Sequence, residues 1–168
     1  VPYLPLFIVR QIAGRYVAGE SAEDALQVIK VLNKKGFSAT VDILGEHTKN
    51  KNSAMEITRE YQSLLSNIHE KNLNSNISIK LSHLGMDISM DCLLNNMNSL
   101  IATARINNNF IRIDMEDSTL TDATIEFYKK IKKQYDKIGI ALQAYLHRTD
   151  KDLESFMDLG DLNLRICK

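Results

Sequence analysis

Phe110-Ile111-Arg112-Ile113-Asp114-Met115-Glu116 alternates apolar and ionisable residues, the period-two pattern of a strand. Ile111, Ile113 and Met115 share one face of it, and Arg112, Asp114 and Glu116 share the other. That second face is no ordinary core. A strand that buries isoleucines against helices and turns charges the other way, ending in an acidic run, suits the mouth of a barrel or the rim of a parallel sheet. Function is expected at that end.

The pattern recurs on both sides of this stretch. Ser21 is a candidate N-cap for a helix striped by Ala22, Ala25, Leu26, Ile29 and Leu32, which Gly36 closes before an alternating strand over 38–44. Helical spacing over 52–70 leads to a strand over 77–82, and a helix over 90–106 leads to the Asp114 strand. Ile125, Tyr128, Ile131 and Tyr135 mark a helix before a strand at 139–144, and a short helix around Leu153, Phe156 and Met157 precedes a fifth strand at 162–168. A further short helix is expected over residues 6–13.

Strands separated by helices give βαβ units and a parallel sheet. Each strand sets a polar residue opposite its apolar face: Asp42, Lys80, Asp114, Gln143 and Arg165. An open doubly wound sheet is covered on both faces and its central strands should be apolar on both. A closed barrel accounts for the pattern better. The expected fold is α/β, a (β/α)8 barrel of the TIM type, of which 1–37 supplies a helical lead-in and 38–168 about the first five βα units, in a single domain. Eight strands take roughly 250 residues, so about three units are expected outside the 168 residues, and the first and fifth strands should present bare edges prone to association.

The 21 basic and 21 acidic residues cancel, and aromatic residues are not interleaved with a basic patch, so nucleic acid is not an expected partner. Cys92 and Cys167 match no disulfide or zinc spacing, which favours a reducing compartment such as the cytoplasm and two small, buried apolar side chains. The opening Val1-Pro2-Tyr3-Leu4-Pro5 has no initiator Met and no basic n-region, and reads as a boundary within a longer chain, leaving a targeting signal upstream open.

Lys80 is the least expected residue in a strand interior, because a buried ammonium without partners is costly. It is either one half of an ion pair with Asp42 or Asp114, or a group that binds an anion or forms a Schiff base. Asp114 is either a structural partner of Arg112 or an active-site carboxylate. Arg165, between Leu164 and Ile166, calls for an anionic partner from the protein or a ligand. Gln143 either bridges strands or meets a heteroaromatic edge. Asp42, Glu46 and His47 are a weak metal signal, and no metal is expected. His69, His83 and His147 are expected in surface or loop roles, and Glu116 and Asp117 in the loop and helix start that follow the strand. Lys129, Lys130, Lys132 and Lys133 read as a solvated helix face or a contact with an anionic membrane. There is no Gly-x-Gly-x-x-Gly and no P-loop.

Taken together and in order, Asp42-Ile43-Leu44-Gly45-Glu46, Ser78-Ile79-Lys80-Leu81-Ser82, Ile113-Asp114-Met115-Glu116, Leu142-Gln143-Ala144-Tyr145 and Leu164-Arg165-Ile166-Cys167-Lys168 resemble the catalytic barrel of proline dehydrogenases. Tyr16-Val17-Ala18-Gly19-Glu20 and Lys35-Gly36-Phe37 resemble that family's helical lead-in. The resemblance implies an FAD enzyme that oxidises L-proline to pyrroline-5-carboxylate and passes the electrons to a quinone, with peripheral contact at the inner face of a membrane and an oligomer as open features. It implies that Lys80 helps hold the proline carboxylate, that Asp114 and Arg165 are the active-site acidic and basic residues, that Met115, Gln143 and Lys168 contact the flavin, and that Glu46 belongs to a charged gate over the substrate. The family pattern runs on past Lys168 to a Gly-Ala-Tyr turn, to residues that hold the flavin's phosphates and adenosine, and to a carboxylate-clamping arginine pair. The 168 residues alone are therefore expected to be inactive. Two other classes stay open: a barrel aldolase using Lys80, which borohydride would trap on a carbonyl substrate, and a non-catalytic half-barrel module, which predicts no further βα units.

Overall fold

A computed structural model describes residues 17–167; the helix expected over 6–13 and the site residue Lys168 lie outside them. Helix α1 (Ala22–Lys34) begins on a capping box, in which Ser21 Oγ accepts from Asp24 N–H and the Asp24 carboxylate accepts from Ser21 N–H, each at 3.2 Å. Helix α2 (Lys51–Glu70) is capped by Asn50 and α3 (Met90–Ile106) by Ser89. Their C-terminal ends repeat one device. Gly36, Asn72 and Asn108 take positive φ of 85°, 50° and 53°, and the next residue's N–H reaches back to Leu32, Ile68 and Ala104, closing a Schellman turn each time. Asparagine tolerates the left-handed region next best after glycine, so three helix ends aim three strands in the same way.

Those strands are β1 (Ala39–Val41), β2 (Ser75–Ile79) and β3 (Ile111–Ile113); helix α4 (Thr121–Lys132), β4 (Ile138–Gln143), α5 (Thr149–Glu154), a 3-10 turn (Met157–Leu159) and β5 (Leu164–Cys167) follow. All four pairings are parallel and the spatial order is β1-β2-β3-β4-β5, a curled half-barrel in which each strand lies beside its predecessor. The strands end sooner than their alternation suggests. β3 stops at Ile113, although Asp114 N–H still bonds Ile79 C=O at 2.9 Å, because Glu116 is drawn toward Ser82 at the end of β2. Helix α4 starts at Thr121, one turn ahead of the Ile125 stripe, after Asp117 accepts from Thr119 N–H at 2.7 Å and turns the chain into it.

Ile77, Ile79, Ile111, Ile113, Ile138 and Ile140 are fully buried under α2, α3 and α4, together with Tyr61, Leu65, Leu100 and Tyr128. Each such side chain contributes about 1.5–3 kcal/mol by leaving water. One expected solvated lysine departs from that reading: Lys132 is buried and its Nζ donates to Asp136 C=O at 2.8 Å, fastening the end of α4, whereas Lys129 pairs with Glu126 at 3.0 Å. Cys92 is buried and Cys167 half-buried, and both are free thiols.

Candidate active site

Sheet register decides which residues meet. Ile79, Ile113, Ile140 and Leu164 are lateral partners on the helix side, so the next residue of each strand, Lys80, Asp114, Ala141 and Arg165, forms a row on the concave side. Asp42 follows Val41, the partner of Ile77, and Gln143 partners Cys167, so both also face inward. The five polar positions singled out from sequence share one face at the carboxyl ends of the strands.

Two ion pairs cross this face. Lys80 Nζ lies 3.5 Å from Asp42 Oδ2 on β1's side, and Arg165 Nη1 lies 3.6 Å from Asp114 Oδ1. The second pair spans β4, whose residue in the row is the small Ala141, so the arginine passes over it unobstructed. Both separations exceed a good charge-assisted hydrogen bond of about 2.7–2.9 Å. Asp114 Oδ1 is buried without a hydrogen-bond partner, while Arg165 is 57% exposed. The row therefore holds charge of both signs with unused hydrogen-bonding capacity, which is what a zwitterionic or anionic ligand requires.

Arg112 sits one layer deeper and is not the partner of Asp114 in a hydrogen bond. Its Nη2 donates to Asn163 Oδ1 at 2.7 Å and its guanidinium stacks on Phe110, 5.1 Å from the ring centre. Gly139 makes room for this group: a Cβ there would stand 2.7 Å from Phe110 Cζ and 2.3 Å from Asn163 O. Burial and the nearby Arg165 lower the Arg112 pKa.

Beyond the carboxyl end of β1, the following loop carries Glu46, which is exposed. Its neighbours are fastened to the turn after β2. His47 N–H donates to Ser82 Oγ at 3.0 Å, Thr48 N–H to Ser82 C=O at 3.2 Å and Thr48 Oγ1 to His83 C=O at 3.0 Å, while His47 Nδ1 pairs with Asp87 at 2.7 Å. His47 adopts φ 55° and Gly45 φ 150°. His83 is buried directly beneath Gly45, where a Cβ would stand 2.5 Å from Nε2. The hydrogen bond to Asp87 raises the His47 pKa; burial, then Lys80, lowers that of His83. Tyr61 from α2 accepts Ile43 N–H at its hydroxyl at 3.2 Å, and burial pushes its phenol up.

Sequence reasoning missed Ser82, His83 and Tyr61. Ser82, read as the end of an alternating strand over 77–82, lies instead in the turn that follows once β2 stops at Ile79; His83, expected in a surface or loop role, is in that turn but buried; and Tyr61 looks like one more apolar residue in a helical stripe. Glu116, expected in the loop toward the next helix, instead reaches back across to Ser82. Met115 packs on the core from the apolar side of its strand.

Comparison with known proteins identifies the family and the fold. A family model described as Proline dehydrogenase matches residues 25–165. Proline dehydrogenase 2 of Bacillus subtilis (strain 168) is 37% identical over 161 residues, 95% of this chain and 52% of that protein; the proline dehydrogenase of Deinococcus radiodurans is 33% identical over 162 residues, 94% of this chain and 52% of that protein. The chain spans about half the length of the curated relatives it matches. Among solved structures, proline utilization A from Bdellovibrio bacteriovorus, inactivated by N-propargylglycine, superposes with a TM-score of 0.85 at 23% identity, covering 95% of this chain and 20% of that one. Proline utilization A from Corynebacterium freiburgense does so at 0.79 and 21% identity, covering 95% and 18%. The half-barrel is thus the fold of those proteins' matching segment, and by sequence the chain belongs to the proline dehydrogenase family.

Proposed function

We propose that the protein of which this chain is part oxidises L-proline to pyrroline-5-carboxylate. The observation that carries the proposal is the inward row Lys80, Asp114, Arg165, with its two long ion pairs, in a chain of the proline dehydrogenase family. Proline is a zwitterion, and the row offers it a complement. The Lys80 ammonium attracts the carboxylate, and the partly exposed Asp114 carboxylate can accept from the substrate's ammonium. The loop with Glu46 stands over this row as a charged gate.

FAD is the proposed cofactor and supplies the hydride acceptor when bound; a quinone is the proposed acceptor of its electrons. The residues present fit that group. Arg165 is a cation at the strand ends, suited to electron-rich heteroatoms, and the Gln143 amide on the same face can both donate to and accept from a ring edge. Met115, whose side chain packs on the core and which would therefore meet the flavin by its backbone, and Lys168, which lies outside the described residues, are the further proposed contacts. Among the described residues no helix is long and apolar enough to cross a membrane; peripheral contact with a membrane surface remains part of the proposal through the quinone.

The full-length protein tests this reading. It should be yellow, its flavin absorption should bleach on anaerobic addition of L-proline and return with a soluble quinone, and borohydride should trap no carbonyl substrate on Lys80. A colourless protein, or a flavin that proline leaves oxidised, would overturn the proposal.

A further inference from the structure

We propose that Glu116 is a positioning residue, a latch that acts through Ser82 to hold the Glu46 loop over the inward row. The inference rests on the reading of Glu46 as the gate. Both Glu116 oxygens are spent on one residue: Oε1 accepts Ser82 N–H at 3.0 Å, and Oε2 accepts the Ser82 hydroxyl in a short bond. A carboxylate is acceptor-only, so the hydroxyl proton must point at Glu116 and the Ser82 Oγ lone pairs are left for the loop. They take the His47 N–H at 3.0 Å. Ser82 is fully buried, and a buried hydroxyl whose proton is committed has one orientation to offer.

The latch grips the loop on both sides of Glu46. Before it, Gly45 lies on the His83 ring with no room for a side chain; after it, His47 and Thr48 bond the backbone of the turn and the Ser82 hydroxyl. Glu116 in turn is two residues from Asp114, so the segment that brings Asp114 into the row also sets the height of the gate above it. Structural support alone would not require this arrangement, since Ser82 C=O already receives Thr48 N–H whatever its side chain does.

The test uses the full-length enzyme with Glu116→Ala and Ser82→Ala, the second keeping the backbone bonds should the first fail to fold. Lys49 is exposed within the loop, and tryptic cleavage after it in the folded protein, followed by mass spectrometry, should quicken about tenfold or more in both variants. KM for proline should rise about tenfold with kcat near that of the parent, the pattern of lost ground-state positioning. In a Glu46→Gln background, Glu116→Ala should raise KM no further. Unchanged cleavage in both variants would overturn the latch. Faster cleavage with unchanged KM, while Glu46→Gln alone raises KM, would overturn the coupling of Glu116 to the gate. If Glu46→Gln leaves KM unchanged, the gate reading itself fails, while faster cleavage still supports the latch.

Discussion

The two ends of the sheet are built from different chemistry. At the amino end of the strands, neutral amides bond backbone: Asn33 Nδ2 donates to Phe37 C=O at 2.9 Å and Asn74 C=O at 3.1 Å while its Oδ1 accepts Asn74 N–H at 2.8 Å, and Asn109 Nδ2 donates to Ser75 C=O at 3.1 Å. At the carboxyl end, charged side chains face one another at 3.5 and 3.6 Å, and the buried Asp114 oxygen of the second pair has no hydrogen bond. The first end spends its polar groups on holding β1, β2 and β3 to one another and to α1. The second keeps them in reserve. On the proposed function, stability and activity would separate along the strand axis, as in barrels generally, and substitutions at the two ends should report in different assays.

The largest effect is expected at Lys80. In the full-length enzyme Lys80→Ala should raise the KM for proline more than it lowers kcat, costing about 1.5–3 kcal/mol in kcat/KM, or roughly tenfold to a hundredfold. Attraction to the substrate carboxylate is present in ground and transition states alike, which is uniform binding. Flavin content should stay near that of the parent, and the melting temperature should change little, because Lys80 and Asp42 pair across 3.5 Å at a face where both remain partly exposed. Collapse of kcat at saturating proline would break the comparison, since it would make Lys80 a chemical participant.

The opposite end should answer oppositely. Asn33→Ala removes three hydrogen bonds, two joining α1 to Asn74 in the turn before β2 and one to Phe37 before β1, and should lower stability by about 1–3 kcal/mol in denaturant unfolding while leaving kcat/KM at 25 °C unchanged. A loss of activity without a loss of stability would show that the two ends are not independent.

Much of this division was legible in the sequence. The alternation around Asp114 located the inward face, and parity in each strand put Asp42, Lys80, Gln143 and Arg165 on it, because parallel strands in register cannot turn lateral neighbours to opposite sides. Gly36 was legible as a helix stop. Asn72 and Asn108, which do the same work, were not, since asparagine is common in many settings and only the backbone shows the left-handed turn. Which charges pair was also out of reach: Asp114 takes Arg165 across β4 rather than Arg112 two residues away in its own strand, a choice set by the small Ala141 and by the claim of Asn163 on Arg112. The Glu116–Ser82 bonds join loops far apart in sequence, where no period operates.

The smallest predicted effect sharpens the picture of the carboxyl end, where two histidines grip one loop with opposite pH preferences. His47, paired with Asp87 and near Glu46 and Glu116, has a raised pKa, so its contribution to docking is complete below the unfolded value of about 6.5 and is lost as pH rises through the folded value. His83, buried under Gly45 and beside Lys80, has a lowered pKa; its neutral form serves fully above about 6.5, and docking is lost as pH falls toward the folded value. The loop should therefore be held best near the ordinary histidine pKa and loosen on either side. The His47 limb should be shallow and salt-sensitive, because that pair is solvent-exposed. NMR titration of the two imidazoles should place His47 above and His83 below their unfolded values. Hydrogen exchange at residues 46–48, corrected for intrinsic rate, should show protection with a maximum between the two. His47→Gln should remove the alkaline limb and His83→Gln the acid one. Protection that changes monotonically from pH 5 to 9 would mean that only one histidine bears on the loop.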